Sequence, residues 1–275
     1  MQLATRFAHR NTAYIQSREP LTDDQLRAVV PSAFAAEKHE GRSARYTYLP
    51  TIDVLAGLRR EGFEPFMACQ TRSRDENQRA HTKHMLRLRR PETRTEGEAS
   101  EVILINSHNG TTSYQMLAGV FRFVCMNGLA VGDCEEIRVA HTGDIVGRVI
   151  EGAYSVVKDF ERVQAATIEM KAITLAPDES LAFARSALTI RWPDCATSLT
   201  PEQVLSPCRS DDAGTDLWTI FNVVQEHLTQ GGDSIVNENK RRMRTKAVAA
   251  ISQSVALNRA LWTLAAEMAK LKQAA

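Results

Sequence analysis

Residues 101–143 read EVILINSHNGTTSYQMLAGVFRFVCMNGLAVGDCEEIRVAHTG, and this stretch decides the fold class. Four apolar runs, Val102–Ile105, Leu117–Val124, Leu129–Val131 and Ile137–Ala140, are separated by Asn109-Gly110, Asn127-Gly128 and Gly132-Asp133. Asn and Gly tolerate the positive φ that tight hairpin turns need, so apolar runs divided by Asn-Gly predict antiparallel neighbours. The stretch therefore predicts a meander of three or four strands at the centre of the fold.

Upstream, His84–Arg90 alternates Leu86 and Leu88 with Arg87 and Arg89, the period of a strand with one apolar face. Phe63–Thr71 reads as a further strand. If both join the meander, the sheet has five or six strands and a solvent face carrying Arg87, Arg89 and Arg122. Arg72–Lys83 and Pro91–Ala99 read as polar and charged loops. Thr51–Gly62 predicts a helix: Ile52, Leu55 and Leu58 form the stripe, Thr51 or Asp53 caps the start, and Gly62 suits the left-handed end. Arg59 and Arg60 fall in its last turn, where the helix dipole favours cations. Arg45–Leu49 is short and β-prone. Residues 1–44, interrupted by Pro20, Pro31 and Gly41, read as an N-terminal arm packed on the surface or reaching a partner subunit. A short helix, capped by Thr22 with Gln25 three residues on, runs there to Val30.

Downstream of Gly143 the period becomes helical. Ile145, Val149, Val156, Phe160, Val163 and Met170 share a face, with Ala153 and Thr167 between. This predicts a helix of about seven turns from Asp144 to about Ile173, long enough to cover the sheet. Further helices are expected at Pro177–Thr189, at Pro201–Leu205 and at Asp216–Thr229, the last closed by Gly231-Gly232. The C-terminal helix repeats Leu257, Leu261, Leu264, Met268 and Leu271 as a seam expected to pack on the long helix, the alternative being a subunit contact. The expected class is α+β: an antiparallel β-meander sheet covered by a long helix, with further C-terminal helices. Residues 45–275 are expected as a single domain, with the sheet at 45–143 and the helical part at 144–275.

Of the 275 residues 43% are apolar and 24% charged, ordinary for a soluble globular protein. Formal net charge is +1, but its distribution is uneven. Residues 59–94 hold 10 basic and 5 acidic groups, 144–239 hold 7 and 15, and 240–275 hold 8 and 1. Two basic blocks flank an acidic region. Five cysteines form no CxxC pair, the N-terminus lacks an apolar signal core, and no run nears the roughly 18 apolar residues of a membrane span. A cytoplasmic protein with no membrane partner is expected.

Phosphate loops, nucleophile elbows and zinc-type cysteine spacing are absent from the sequence. His81 and His84 are spaced as a metal pair only if helical, and the segment reads as loop into strand. Asn106-Ser107-His108-Asn109-Gly110 and His141-Thr142-Gly143-Asp144 lie at strand ends that a meander could bring together. Such a cluster could supply acid–base groups or metal ligands, since imidazole titrates near neutrality. The plainer reading is turn chemistry, with Asp144 capping the long helix. No cofactor, metal or catalytic residue is assigned on this basis.

The basic blocks are the stronger signal. Arg72, Arg74, Lys83, Arg87, Arg89 and Arg90 in the first, and Lys240, Arg241, Arg242, Arg244 and Lys246 in the second, are the candidate nucleic-acid contacts. Arg79 and Arg94 extend the first block. Guanidinium forks match phosphate oxygens, and neutralising phosphates releases counterions. Tyr46, Tyr48, Phe121 and Phe123 could stack on bases from an outward face.

The run VILINSHNGTTSYQMLAGVFRFVCMNGLAVGD, then RVAHTG and VIEGAY, resembles the phage/plasmid-like proteins grouped as domain of unknown function 932. LPTIDVLAGLRREGFEP upstream and NVVQEHLTQGG, RRMRTKAV and LNRALWTLAAEMA downstream share the likeness, which spans about residues 45–270. The resemblance implies a mobile-element origin and carries no established activity or catalytic residue. Strands backed by a long helix are also similar, in architecture alone, to phage single-strand annealing proteins. The expected function is non-enzymatic binding or annealing of single-stranded DNA by a homo-oligomer. The alternatives are a metal-dependent nuclease or hydrolase centred on His108, His141 and Asp144, and a host-protein-binding factor using the acidic 144–239 surface.

Overall fold

The computed structural model describes residues 12–35, 49–71, 73, 81–90, 92, 95, 97–108, 112–123, 127–132, 134, 136–193, 198–236 and 241–274. The chain forms two compact units, one of residues 1–128, 134–160 and 249–251, the other of residues 129–133, 161–248 and 252–275.

The first unit is built on an antiparallel sheet. Its strands are β1 (Thr12–Gln16), β2 (Glu64–Thr71), β3 (His84–Arg89), β4 (Glu98–Asn106) and β5 (Tyr114–Arg122), paired in sequence order. The short strands β6 (Asn127–Ala130) and β7 (Ile137–Val139) both join β5. The meander and the two strands before it match the sequence reading, because each is an apolar run bounded by turn residues. Cross-strand partners share a face, so register fixes two kinds of row. One row runs Ala68, Leu86, Leu104, Met116. The other runs Gln16, Met67, Arg87, Ile103, Leu117. Apart from Gln16, both rows are buried throughout.

Three helices accompany the sheet: α1 (Asp23–Val29), α2 (Thr51–Arg60) and α3 (Ile145–Lys158). Thr22 and Gln25 close a capping box on α1, as expected. Residues 12–35 are part of the fold rather than a surface arm. β1 extends the sheet edge against β2, and Leu21, Leu26, Val30 and Ala33 are buried. The expected 45–49 strand falls largely outside the described residues. Helix α2 ends at Gly62 with φ +83°, a conformation that costs glycine little. Its N-cap is Pro50, so the expected cap by Thr51 or Asp53 is not made, and the Thr51 hydroxyl instead bonds His84, Asn106 and His108. Helix α3 buries Ile145, Val149, Ala153 and Val156. Gly152 lets it approach the sheet: a Cβ there would lie 2.3 Å from the Met116 methyl. The expected seven-turn helix is divided at Asp159, and a second helix, α4 (Phe160–Ala172), follows.

The second unit contains α5 (Pro177–Arg191), α6 (Pro201–Val204), α7 (Leu217–Gln230), a two-stranded ribbon of β8 (Ser234–Val236) and β9 (Arg242–Arg244), and α8 (Ile251–Ala274). All but the ribbon were legible as elements in the sequence. Its core is aromatic: Trp218 stacks on Phe221 at 5.4 Å, and Trp262 meets both edge-on. The seam of α8 differs from the leucine repeat. Leu257, Asn258, Leu261, Trp262, Ala265 and Ala269 are buried, whereas Leu271 is 67% exposed. Gln225 donates to Asn258 at 2.6 Å, tying α7 to α8 inside this unit. Among the described residues no helix is long and apolar enough to cross a membrane.

Candidate nucleic-acid interface

The second basic block folds as an exposed hairpin. Helix α7 stops at Gly231 and Gly232, whose φ values are +62° and +99°. Gly231 has a second reason to be glycine, since a Cβ there would sit 2.8 Å from the backbone at Thr245–Lys246. The reversed chain then forms β8 and β9, with Ser234 opposite Arg244, Ile235 opposite Met243 and Val236 opposite Arg242. Arg242 and Arg244 therefore lie on one face and Met243 on the other. Arg241, Arg242, Arg244 and Lys246 are all exposed, and so are Met243 and Val236. Lys240 lies outside the described residues.

The root of the ribbon is fixed by polar contacts. Gly232 N–H donates to the Thr245 carbonyl at 3.0 Å, and Thr245 N–H to the Asp233 carbonyl at 2.9 Å. Asp233 N–H donates to Thr245 Oγ1 at 3.0 Å, and that hydroxyl donates to Asp233 Oδ2 at 3.1 Å. Asp233 Oδ1 is 2.6 Å from His227 Nδ1 on the last turn of α7. Ser198 bridges the outer edge of β8, donating to the Val236 carbonyl and accepting from its N–H. Sequence reasoning missed this hairpin because strands of three residues carry no periodic signal. The available clue was Gly231-Gly232 and Thr245 bracketing two short apolar steps, Ile235 and Met243.

The first basic block behaves differently. Arg72, Arg74, Arg79 and Arg94 lie outside the described residues. Lys83 and Arg90 are half-buried, and the Arg90 guanidinium lies over Phe63 and Tyr154. The expectation that Arg87 and Arg89 line a solvent face is not met: they are 6% and 4% exposed. Glu101, fully buried on β4, accepts from Arg87 Nε at 2.5 Å and from Arg89 Nε at 2.7 Å. Arg87 passes beside Gly119 and Gly128, where any Cβ would collide with its guanidinium. Arg89 lies 4.0 Å over Phe121 and 4.5 Å over Phe66. The physical reason is the register: Arg87 shares its row with buried Met67, Ile103 and Leu117, so this face is a second core rather than solvent. Phe121, 2% exposed, is likewise no platform for bases. The two basic blocks fall in different units.

The histidines of the first unit do gather. Gln70, His84 and Asn106 form one cross-strand row on the face that meets α2. Gln70 Oε1 accepts from Ser32 N at 3.0 Å and Oγ at 2.8 Å, leaving Ser32 Oγ to accept from His84 Nδ1 at 2.8 Å. His84 Nε2 then accepts from the Thr51 hydroxyl at 2.9 Å. Thr51 Oγ1 accepts in turn from Asn106 Nδ2 at 3.1 Å and from His108 Nε2 at 3.2 Å. This chain fixes neutral tautomers, because the Gln70 oxygen can only accept and each hydroxyl has one proton to give. Burial pushes the His84 imidazole down to about 4 and His108 to about 2, the latter helped by neighbouring imidazoles. His141 is also lowered by burial, against the Thr112 carbonyl bonded to it.

His108 and His141 thus come together, with ring centroids 6.2 Å apart, but Asp144 does not join them. It is exposed and caps α3, accepting from Gly147 N–H at 3.0 Å. Among the described residues no three His, Cys, Asp or Glu side chains are placed to hold a metal ion. Asn109 and Gly110 lie outside the described residues. Sequence reasoning found Asn106, His108 and His141 and missed Ser32, Thr51 and Gln70 as the groups that organise them.

Residues 38–262 match the family described as Domain of unknown function (DUF932). UPF0380 protein YfjQ of Escherichia coli (strain K12) is 51% identical over 265 residues, covering 96% of each chain. UPF0380 protein YafZ of the same organism is 50% identical over the same length and shares. No solved structure matches this chain. That match runs from before the 51–62 helix, through the meander and into the last helix, and this chain belongs to the family of the domain of unknown function 932.

Proposed function

We propose that this chain is a nucleic-acid-binding protein that grips phosphates through the β8–β9 ribbon, a contact that is itself non-enzymatic. The observation that carries the reading is the exposure of Arg241, Arg242, Arg244 and Lys246 within six residues on a hairpin with a fixed root. Cations held on a short ribbon track a phosphate backbone without reading bases. The buried Arg87–Glu101–Arg89 cluster has no part in this contact. A role in recombination on a phage or plasmid, binding to single-stranded DNA and assembly of several copies belong to the same proposal.

Fluorescence anisotropy with labelled single- and double-stranded oligonucleotides, across a salt series, tests it. Each phosphate contact contributes a log–log salt slope of about −0.7 on single strands and about −0.9 on duplex. Replacing Arg242 and Arg244 with alanine is expected to flatten the slope by about two contacts and weaken binding to all sequences alike. Arg185→Ala, on an exposed face of α5, is the control and leaves the slope in place. Absence of binding at low salt, or an unchanged slope in the ribbon variant, removes the ribbon from the account.

A further inference from the structure

At the root of the ribbon lies a constellation that phosphate binding does not use. Cys208 is exposed, in the stretch between α6 and the 3-10 turn Ser210–Asp212. Its Sγ is 3.8 Å from His227 Nε2. The other ring nitrogen, Nδ1, is 2.6 Å from Asp233 Oδ1, and Thr245 holds the second carboxylate oxygen. A thiol, an imidazole facing it and a carboxylate orienting the imidazole from behind are the three roles of a nucleophilic centre, recognised by geometry rather than by order in the chain. All three residues belong to the second unit.

We propose that Cys208, His227 and Asp233 form an acyl-transfer site for small activated acyl compounds, thioesters or esters. His227 Nε2 takes the Cys208 proton as Sγ attacks the carbonyl carbon. The bond from that carbon to the leaving sulfur or oxygen then breaks, and the leaving group departs with the proton from Nε2. Cys208 is left as a thioester. Water attacks it, giving one proton to Nε2, and the proton passes to Sγ as the carboxylic acid leaves. Asp233 holds the ring so that Nε2 faces sulfur and steadies the imidazolium formed in both half-reactions. Nε2 also lies 2.8 Å from the Ser206 carbonyl and Nδ1 faces Asp233, both of which can only accept, so the ring as it stands is a double donor. It becomes the base once solvent has taken the Nε2 proton above the raised pKa, and the Ser206 carbonyl stabilises the protonated ring between the two proton transfers. A base is needed here. Burial and then the Glu226 carboxylate push the thiol up, with the Arg209 guanidinium opposing them, so the thiolate does not form unaided.

The test uses the purified full chain with p-nitrophenyl acetate and with an acetyl thioester of N-acetylcysteamine, read by nitrophenolate release and by mass mapping of the acetyl group. Acetylation of Cys208 is expected to outrun that of free N-acetylcysteine at the same pH. General-base assistance predicts a loss of about 100-fold in His227→Gln, a smaller loss in Asp233→Asn and none of the adduct in Cys208→Ala. Cys208→Ala is expected to leave the salt slope of oligonucleotide binding in place, so the two proposals fail separately. Wild-type Cys208 acylating no faster than the free thiol overturns the assignment, and this comparison needs no variant to fold. An adduct that forms equally fast in a folded His227→Gln chain overturns it too.

Discussion

Glu101 accepts from two guanidiniums, and the three groups are 0%, 6% and 4% exposed for Glu101, Arg87 and Arg89. Taking charges out of water costs several kcal/mol per ion, and pairing offsets this only while every partner is present. Stacking of Arg89 on Phe121 and Phe66 adds a smaller favourable term. Glu101→Gln keeps the shape and removes the charge, leaving two buried cations facing each other. A loss of about 3–5 kcal/mol in urea unfolding is expected, by the cost of stranding a buried ion. Arg242→Ala on the exposed ribbon is expected to change stability by no more than about 0.5 kcal/mol. Equal effects from the two substitutions would contradict the assignment of one pair of arginines to the core and the other to the surface.

Helix α2 buries Val54, Leu55 and Leu58, and one polar side chain adds a specific tie to the sheet. Its Thr51 hydroxyl meets His84 on β3, Asn106 on β4 and His108 just beyond β4. Thr51→Val conserves volume while leaving buried donors and acceptors without that oxygen. A destabilisation of about 1–3 kcal/mol is expected, against near neutrality if the contacts were incidental. Periodicity made α2 itself legible, along with β2 to β5 and the helices at 177–191 and 217–230, since each has a clear apolar stripe or run. Periodicity says which residues share a face and nothing about what the face meets. Arg87 and Arg89 alternate as the sequence indicates, yet the partner that buries them, Glu101, sits unmarked at the head of an apolar run. The same limit applies to α8, where Leu257 and Leu261 are buried as the seam predicts, but Trp262, Ala265 and Ala269 carry the burial onward and Leu271 is left exposed. In the histidine cluster the rings were visible, but Ser32, Thr51 and Gln70 lie 33 to 57 positions from their partners and leave no local trace.

The whole chain places opposite proton linkages in its two units. All five tyrosines lie in the stretches of the first unit and all three tryptophans in those of the second, so two optical signals separate them. In the first unit His84, His108 and His141 have folded-state pKa values below the ordinary 6.5. Below pH 6.5 the unfolded chain binds protons that the folded one refuses, so stability falls as pH drops from about 6.5 towards 4. In the second unit burial alone would lower His227, but its bonds to Asp233 and the Ser206 carbonyl win and raise it. Its contribution is complete below 6.5 and is lost as pH rises through the folded value. Carboxylates of ordinary pKa, near 4, do not titrate appreciably between pH 5.5 and 8, so histidine dominates that window. Urea midpoints followed by tyrosine derivative absorbance are therefore expected to fall on acidification from pH 7 to 5.5. Midpoints followed by tryptophan emission should hold or rise from pH 8 to 6. His84→Asn is expected to flatten the first trend and His227→Gln the second. Tyrosine and tryptophan midpoints that coincide at every pH would mean that the units unfold as one cooperative block, with the two linkages summed rather than separable.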